Sequence, residues 1–131
     1  MARPRNDQPT PSELEVLQIL WRRGPSTVRQ VMRELNRDRL RAYTSVMSLM
    51  NVMAEKGLLS RKPKGRAFVY TSRQTQTKTL SSMVGDLLSR AFGGSASAMV
   101  AHLLDQAQLS QDELAEIRQA IAACHSEGGQ R

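Results

Sequence analysis

Between Thr10 and Thr71 the spacing of apolar residues changes once, from helical to alternating, and that switch narrows the possible folds. Three helical stretches come first. In the first, Leu14, Val16, Leu17, Ile19, Leu20 and Trp21 surround most of the girth, predicting a central helix to about Arg23. Thr10 suits its N-cap, Pro11 its first position and Glu13 a capping box, while Gly24-Pro25 ends it. Ser26 or Thr27 caps a second helix to about Asn36, with Val28, Val31, Met32 and Leu35 on one side and Arg29, Arg33 and Arg37 on the other. The third, 42-AYTSVMSLMNVMAEKG-57, ends at Gly57, suited to a left-handed cap. Beyond it 58-LLSRK-62 and 66-RAFVYT-71 read as strands, joined by a type I turn over Lys62-Pro63-Lys64-Gly65. Three short helices and a basic hairpin in that order predict a winged helix-turn-helix over residues 10–71.

The third helix has an unusual polar side. Ala42, Val46, Leu49, Met50 and Met53 form its dry face, flanked by Tyr43 and Met47. Opposite them stand Thr44, Ser48, Asn51 and Glu55, with Ser45 beside. A solvated face normally carries Lys and Glu. Short hydroxyls instead let a helix lie deep in the major groove, and Asn can pair with adenine. Thr44, Ser45, Ser48 and Asn51 are therefore candidate base readers. Arg39, Arg41, Tyr43, Lys62, Lys64 and Arg66 flank them and are candidates for the DNA backbone. The competing reading is an exposed helix merely low in charge. The three-methionine spacing of Met47, Met50 and Met53 fits core packing better than a soft-metal site.

Charge separates the chain into unlike halves. Residues 1–71 hold 14 Lys/Arg against 6 Asp/Glu; residues 72–131 hold 5 against 6. The whole net charge of +7 thus comes from the first half, which points to a polyanion partner there. Residues 1–9 read as a disordered basic arm, 72–78 as a polar linker, 79–125 as a helical domain and 126–131 as a frayed tail. Three stripes occupy that second domain. They are Leu80, Met83, Val84, Leu87, Leu88 and Phe92, closed by Gly93-Gly94; Met99, Val100, Leu103, Leu104 and Ala107; and Leu114, Ile117, Ile121 and Cys124, opened by Ser110 and Glu113. Fewer than 60 residues with almost no aromatics rarely make a core alone, so these stripes predict a homodimer. The fold expected is mainly α with a small β-hairpin: a winged-helix N-terminal domain and a helical C-terminal dimerisation domain.

Several functions are set aside by what the chain contains. No apolar run approaches a membrane span, and residues 1–10 do not read as a signal peptide, so a cytoplasmic protein is expected. One cysteine, Cys124, excludes an intrachain disulfide. Neither His102 nor His125 has a nucleophile and acid at catalytic spacing, and no phosphate loop or paired carboxylates appear, so an enzyme is not expected. Neither a metal nor a cofactor is expected.

The runs 14-LEVLQILWRRGPSTVRQVMREL-35, 42-AYTSVMSLM-50, 55-EKGLLSR-61 and 65-GRAFVY-70 resemble the penicillinase repressor family of BlaI/MecI type. With 92-FGGS-95 and 110-SQDELAEIRQAI-121 the resemblance spans nearly the whole chain. It implies a homodimeric bacterial repressor on a near-palindromic double-stranded DNA operator, often regulating antibiotic-resistance genes. It also implies a membrane-bound metalloprotease sensor as signalling partner in some members. Departures stand out: Ser45 where Thr is frequent, Val52 where a basic residue is common, and His102-Leu103 where cleavable members carry Asn-Phe. The cysteine cluster of a copper-responsive branch is absent. Other readings of the same residues are a dimeric adaptor with a protein-binding winged helix and a nucleoid protein indifferent to sequence.

Overall fold

The computed structural model describes residues 8–128, so the arm residues Arg3 and Arg5 and the end of the tail lie outside it. Its elements are α1 (Pro11–Arg23), α2 (Val28–Leu35), α3 (Tyr43–Glu55), β1 (Leu59–Lys64), β2 (Ala67–Ser72), α4 (Gln76–Phe92), α5 (Ala96–Gln106) and α6 (Gln111–Gly128). Two compact units result, dividing inside α4 between Gly85 and Asp86.

The first unit is built around α1. Thr10 Oγ1 accepts from the Glu13 N–H at 3.2 Å, and Glu13 Oε1 accepts from the Thr10 N–H at 3.0 Å, closing the expected capping box. Thr27, rather than Ser26, caps α2 in the same reciprocal way with Gln30. Ser26 is occupied elsewhere: its backbone pairs with Tyr70 through bonds of 3.0 and 2.8 Å, fastening the α1–α2 turn to the hairpin. The core is Val16, Leu17, Ile19 and Leu20 of α1; Val28, Val31 and Leu35 of α2; Val46, Met50 and Met53 of α3; and Leu59 and Tyr70 of the hairpin. Burying each such aliphatic side chain is worth about 1.5–3 kcal/mol relative to exposure.

Glu13 has a second task. Its Oε2 accepts from Lys56 Nζ at 2.7 Å, so one nearly buried carboxylate ties the start of α1 to the end of α3. Burial by itself would raise its pKa. The hydrogen bonds from Lys56 and the Thr10 backbone, together with the Lys56 charge and the Thr10 hydroxyl, outweigh that and hold it below the ordinary value.

The hairpin turn differs from expectation. Strand pairing continues to Lys64↔Ala67, leaving Gly65-Arg66 as a two-residue loop, with φ +64° at Gly65 and no positive φ at Arg66. Positive φ at the first central residue alone matches a II′ turn, whose twist suits adjoining strands. Pro63 therefore sits inside β1 opposite Phe68. A two-residue loop makes the closing pair hydrogen-bonded and the next pair not, so the missing Pro63 N–H costs the ladder nothing.

Beyond Tyr70 the picture changes. α4 starts at Gln76, inside the segment read as linker, because Thr75 Oγ1 accepts from the Lys78 N–H at 3.1 Å and caps the polar turn. Gly93 and Gly94 end α4 at φ +56° and +85°, and the Gly94 N–H reaches back to the Leu88 carbonyl at 2.9 Å. Ser95 and Ser110 hydroxyls cap the next two helices. α6 runs to Gly128, past the expected start of the tail. Among residues whose burial is described, only Thr79 is buried after Tyr70.

Candidate nucleic-acid interface

Helix α3 turns Val46, Met50 and Met53 into the core, and the rest of its surface is set by helical geometry. Thr44, Ser45 and Ser48 are exposed, and their hydroxyls have no hydrogen bond to another described residue. Val52 is exposed on the same helix. Asn51 is placed differently. Its Oδ1 accepts from Tyr70 Oη at 2.7 Å and from an Arg61 guanidinium N–H at 2.5 Å. A bidentate pair with adenine needs that oxygen, so in this conformation Asn51 braces α3 against the hairpin instead of presenting its amide edge.

Arg41 requires a correction. Its side chain is only 12% exposed, and its guanidinium bonds to the Leu35 carbonyl at 2.6 Å, the Arg39 carbonyl at 3.1 Å and the Glu15 carboxylate at 3.2 and 3.3 Å. Its own N–H goes to Asn36 Oδ1 at 2.8 Å. The Leu35 carbonyl also accepts from the Asp38 and Arg39 N–H groups, so the guanidinium adds a charged donor to a turn that is already closed at the end of α2. Arg41, expected as a DNA backbone contact, thus has its guanidinium engaged within the chain, where it ties the loop before α3 to α1 and α2. Arg39, by contrast, is exposed and outside any described ion pair.

The remaining cations sort by partner. Arg22, Arg23 and Arg37 share Glu34, at 3.4, 3.8 and 3.6 Å, on the α1–α2 side. No described ion pair involves Arg29, Arg33, Arg39, Arg61, Lys62, Lys64 or Arg66. Unneutralised charge therefore collects on α2, the loop before α3, and the hairpin. Strand alternation divides the hairpin's share: Arg61 pairs with Tyr70 on the face that meets α3, whereas Lys62 and Lys64 lie on the other face. Arg66 is in the turn.

Two clefts border the hydroxyl row of α3. One, of about 470 Å³, is lined by Ser12, Glu15, Leu35, Arg39, Leu40, Arg41, Ala42, Ser45, Val46 and Leu49, with Leu40 84% exposed at its edge. The other, of about 530 Å³, lies among the start of α2, α3 and the hairpin. Tyr43, half exposed, borders it beneath the Arg29 guanidinium at 5.1 Å. From sequence, Arg61 has no assigned role and Arg29 stands between a phosphate contact and a solvated face. The period of α2 alone does not choose between them, and Arg61 gains meaning only once strand register is known.

The expected dimerisation residues form no core within the described chain. Leu80, Val84, Leu87, Val100, Leu103, Leu104 and Ile121 are exposed; Met83, Leu88, Phe92, Met99, Leu114 and Ile117 are half-buried. Cys124 is exposed too. Among described residues no group of three or more His, Cys, Asp or Glu side chains could hold a metal, and no helix is long and apolar enough to cross a membrane.

The family described as Penicillinase repressor matches residues 9–123. A penicillinase repressor of Bacillus licheniformis is 26% identical over 110 residues, covering 84% of this chain and 86% of that protein. The transcriptional regulator BlaI of Mycobacterium tuberculosis (strain ATCC 25618 / H37Rv) is 31% identical over 121 residues, covering 91% and 86%. Among solved structures, the DNA-binding domain of the repressor BlaI aligns with a TM-score of 0.50 at 24% identity, covering 57% of this chain and 92% of that domain. That likeness shows the winged-helix fold of the first unit.

Proposed function

We propose, since the chain belongs to the penicillinase repressor family, that it is a sequence-specific transcriptional repressor acting as a homodimer on a near-palindromic DNA operator, in the cytoplasm. The observation that carries this reading is the row of exposed hydroxyls at Thr44, Ser45 and Ser48, without partners among the described residues. Arg39 borders the row on one flank and Arg29, Arg61 and Arg66 on the other, none of them in a described ion pair. The hydroxyls read base edges; Arg39, Lys62, Lys64 and Arg66 meet phosphates, with Tyr43 beside them. The exposed apolar residues of α4, α5 and α6 support the dimer, because a surface of this kind needs a partner.

Repression follows from promoter occupancy, and the regulated genes on this reading include antibiotic-resistance genes. A membrane-bound metalloprotease sensor cutting at His102-Leu103 would meet that peptide inside α5, so cleavage would require local opening of the helix.

A titration of the full chain on the DNA upstream of its own gene, against random DNA of equal length, tests the reading. Preference of about a thousandfold, with one dimer per site, is expected. Thr44→Ala should cost about 1–3 kcal/mol on the operator and change random binding little. Steep salt dependence without preference would favour a nucleoid protein, and binding to neither DNA would favour a protein adaptor.

A further inference from the structure

The cleft between α2, α3 and the hairpin is lined by three arginines, Arg29, Arg61 and Arg66, and by no carboxylate. Two of the three guanidinium groups are held in place. Arg29 Cζ stands 5.1 Å from the centre of the Tyr43 ring, and Arg61 Cζ 4.8 Å from that of Phe68. Arg61 is also tied to Asn51 Oδ1, which Tyr70 holds from the core side. A guanidinium lying over a ring keeps in-plane N–H donors at its edges, the geometry a phosphate oxygen pair accepts. Immobilising it beforehand lowers the entropy lost on binding.

The opposite flank of α3 is built otherwise. There Glu15 lines the cleft, Arg41 is spent on it and on backbone carbonyls, and Arg39 is the one lining cation outside a described ion pair. A helix in the major groove has one phosphate strand on each side. The two flanks of α3 thus offer those strands unequal charge.

We infer that the α2–hairpin cleft is a preformed seat for phosphodiesters of one DNA strand, with Arg29, Arg61 and Arg66 as its donors and Phe68 and Asn51 positioning Arg61. This rests on the DNA-binding reading given above and adds Arg29 and Arg61 to it. The opposite strand is held mainly through Arg39.

The test uses the full chain, titrated on its upstream DNA and on random DNA over a series of salt concentrations. Arg29→Ala and Arg61→Ala should each weaken binding to both DNAs alike, by several-fold to tenfold, and lower the salt slope by about 0.9 per phosphate lost. Phe68→Leu keeps every charge, so it should weaken binding while leaving the slope intact. Arg61→Lys should behave like Phe68→Leu, which keeps the test decisive where Arg61→Ala melts early. Wild-type preference for upstream DNA, with Arg29→Ala and Arg61→Lys unchanged in affinity and slope, would overturn the seat while leaving the repressor reading intact. No DNA binding by the wild-type chain would overturn both. Millimolar benzoate bound by the wild type, lost in both variants with DNA affinity unaltered, would assign the cleft to a small planar anion and overturn the seat.

Discussion

Residues 10–72 and the helices α4–α6 show two ways of using apolar side chains. In the first region Val16, Val31, Met50 and Met53 are fully enclosed by their own chain. In the second, leucines and valines recur at helical spacing just as regularly, yet remain open, with Leu103 55% and Ile121 59% exposed. Periodicity tells which face of a helix is apolar but not what covers it. The first region hides its own apolar face; the second leaves much of its own exposed, the observation behind the proposed dimer.

The sharpest way to break this contrast is to truncate one residue of each kind. Met50→Ala should lower the stability of the first unit by about 2–5 kcal/mol in denaturant unfolding. Leu103→Ala, measured at dilutions where the chain is monomeric, should change that transition by less than about 0.5 kcal/mol. Comparable losses would mean that the second region is enclosed by its own chain after all. Next in size, Leu103→Glu should weaken self-association on the order of a hundredfold in analytical ultracentrifugation, since it would bury an unpaired charge in the proposed dimer. A monomeric wild type at every concentration would remove that role.

Arg41 and Lys64 repeat the contrast within the basic half. Arg41→Ala should destabilise the fold by about 2 kcal/mol, because it removes charged hydrogen bonds from a nearly buried guanidinium to Glu15 and to the Leu35 and Arg39 carbonyls. Lys64→Ala should leave thermal unfolding unchanged and lower the salt slope of DNA binding by about 0.9. Exchanged phenotypes would mean that exposure misassigns the two cations.

A pH series sharpens the same point for Glu13. Its folded pKa lies below the ordinary 4.5, so its stabilising effect is complete above that value and fades as pH falls through the folded pKa. Wild type should therefore lose stability below about pH 4.5 faster than Glu13→Gln. Parallel acid unfolding curves would deny the Lys56 tie an energetic role. The smallest change, Ser45→Thr, should alter operator affinity by no more than a few-fold while shifting preference towards a thymine beside it.

Much of the first unit could be read from residues alone. Thr10, Pro11 and Glu13 mark the start of α1 by chemistry that acts within one turn, and Gly57 marks the end of α3 for the same reason, at φ +88°. What failed to show was what depends on distant parts of the chain. Pro63-Lys64-Gly65 has turn residues, but the twist of paired strands moved the turn to Gly65-Arg66. Arg41 adjoins α3 in sequence, yet the Leu35 and Arg39 carbonyls and Glu15 capture it. Asn51 lies on the polar side of α3 by helical spacing, but Tyr70 and Arg61 reach it from 19 and 10 residues away. Short-range signals survive without coordinates; competition among several partners for one group does not.

The bridge between Ser26 and Tyr70 bears on mechanics. Two backbone bonds fasten the base of the hairpin to the α1–α2 turn, and the Tyr70 hydroxyl fastens it again to α3. A hairpin clamped at two points behaves as a stiff flange rather than a hinged arm. When such a body docks on a duplex whose groove does not quite match, the compliance has to come from the DNA. Operator sequences that bend or narrow readily would then be favoured even at base pairs no side chain reaches.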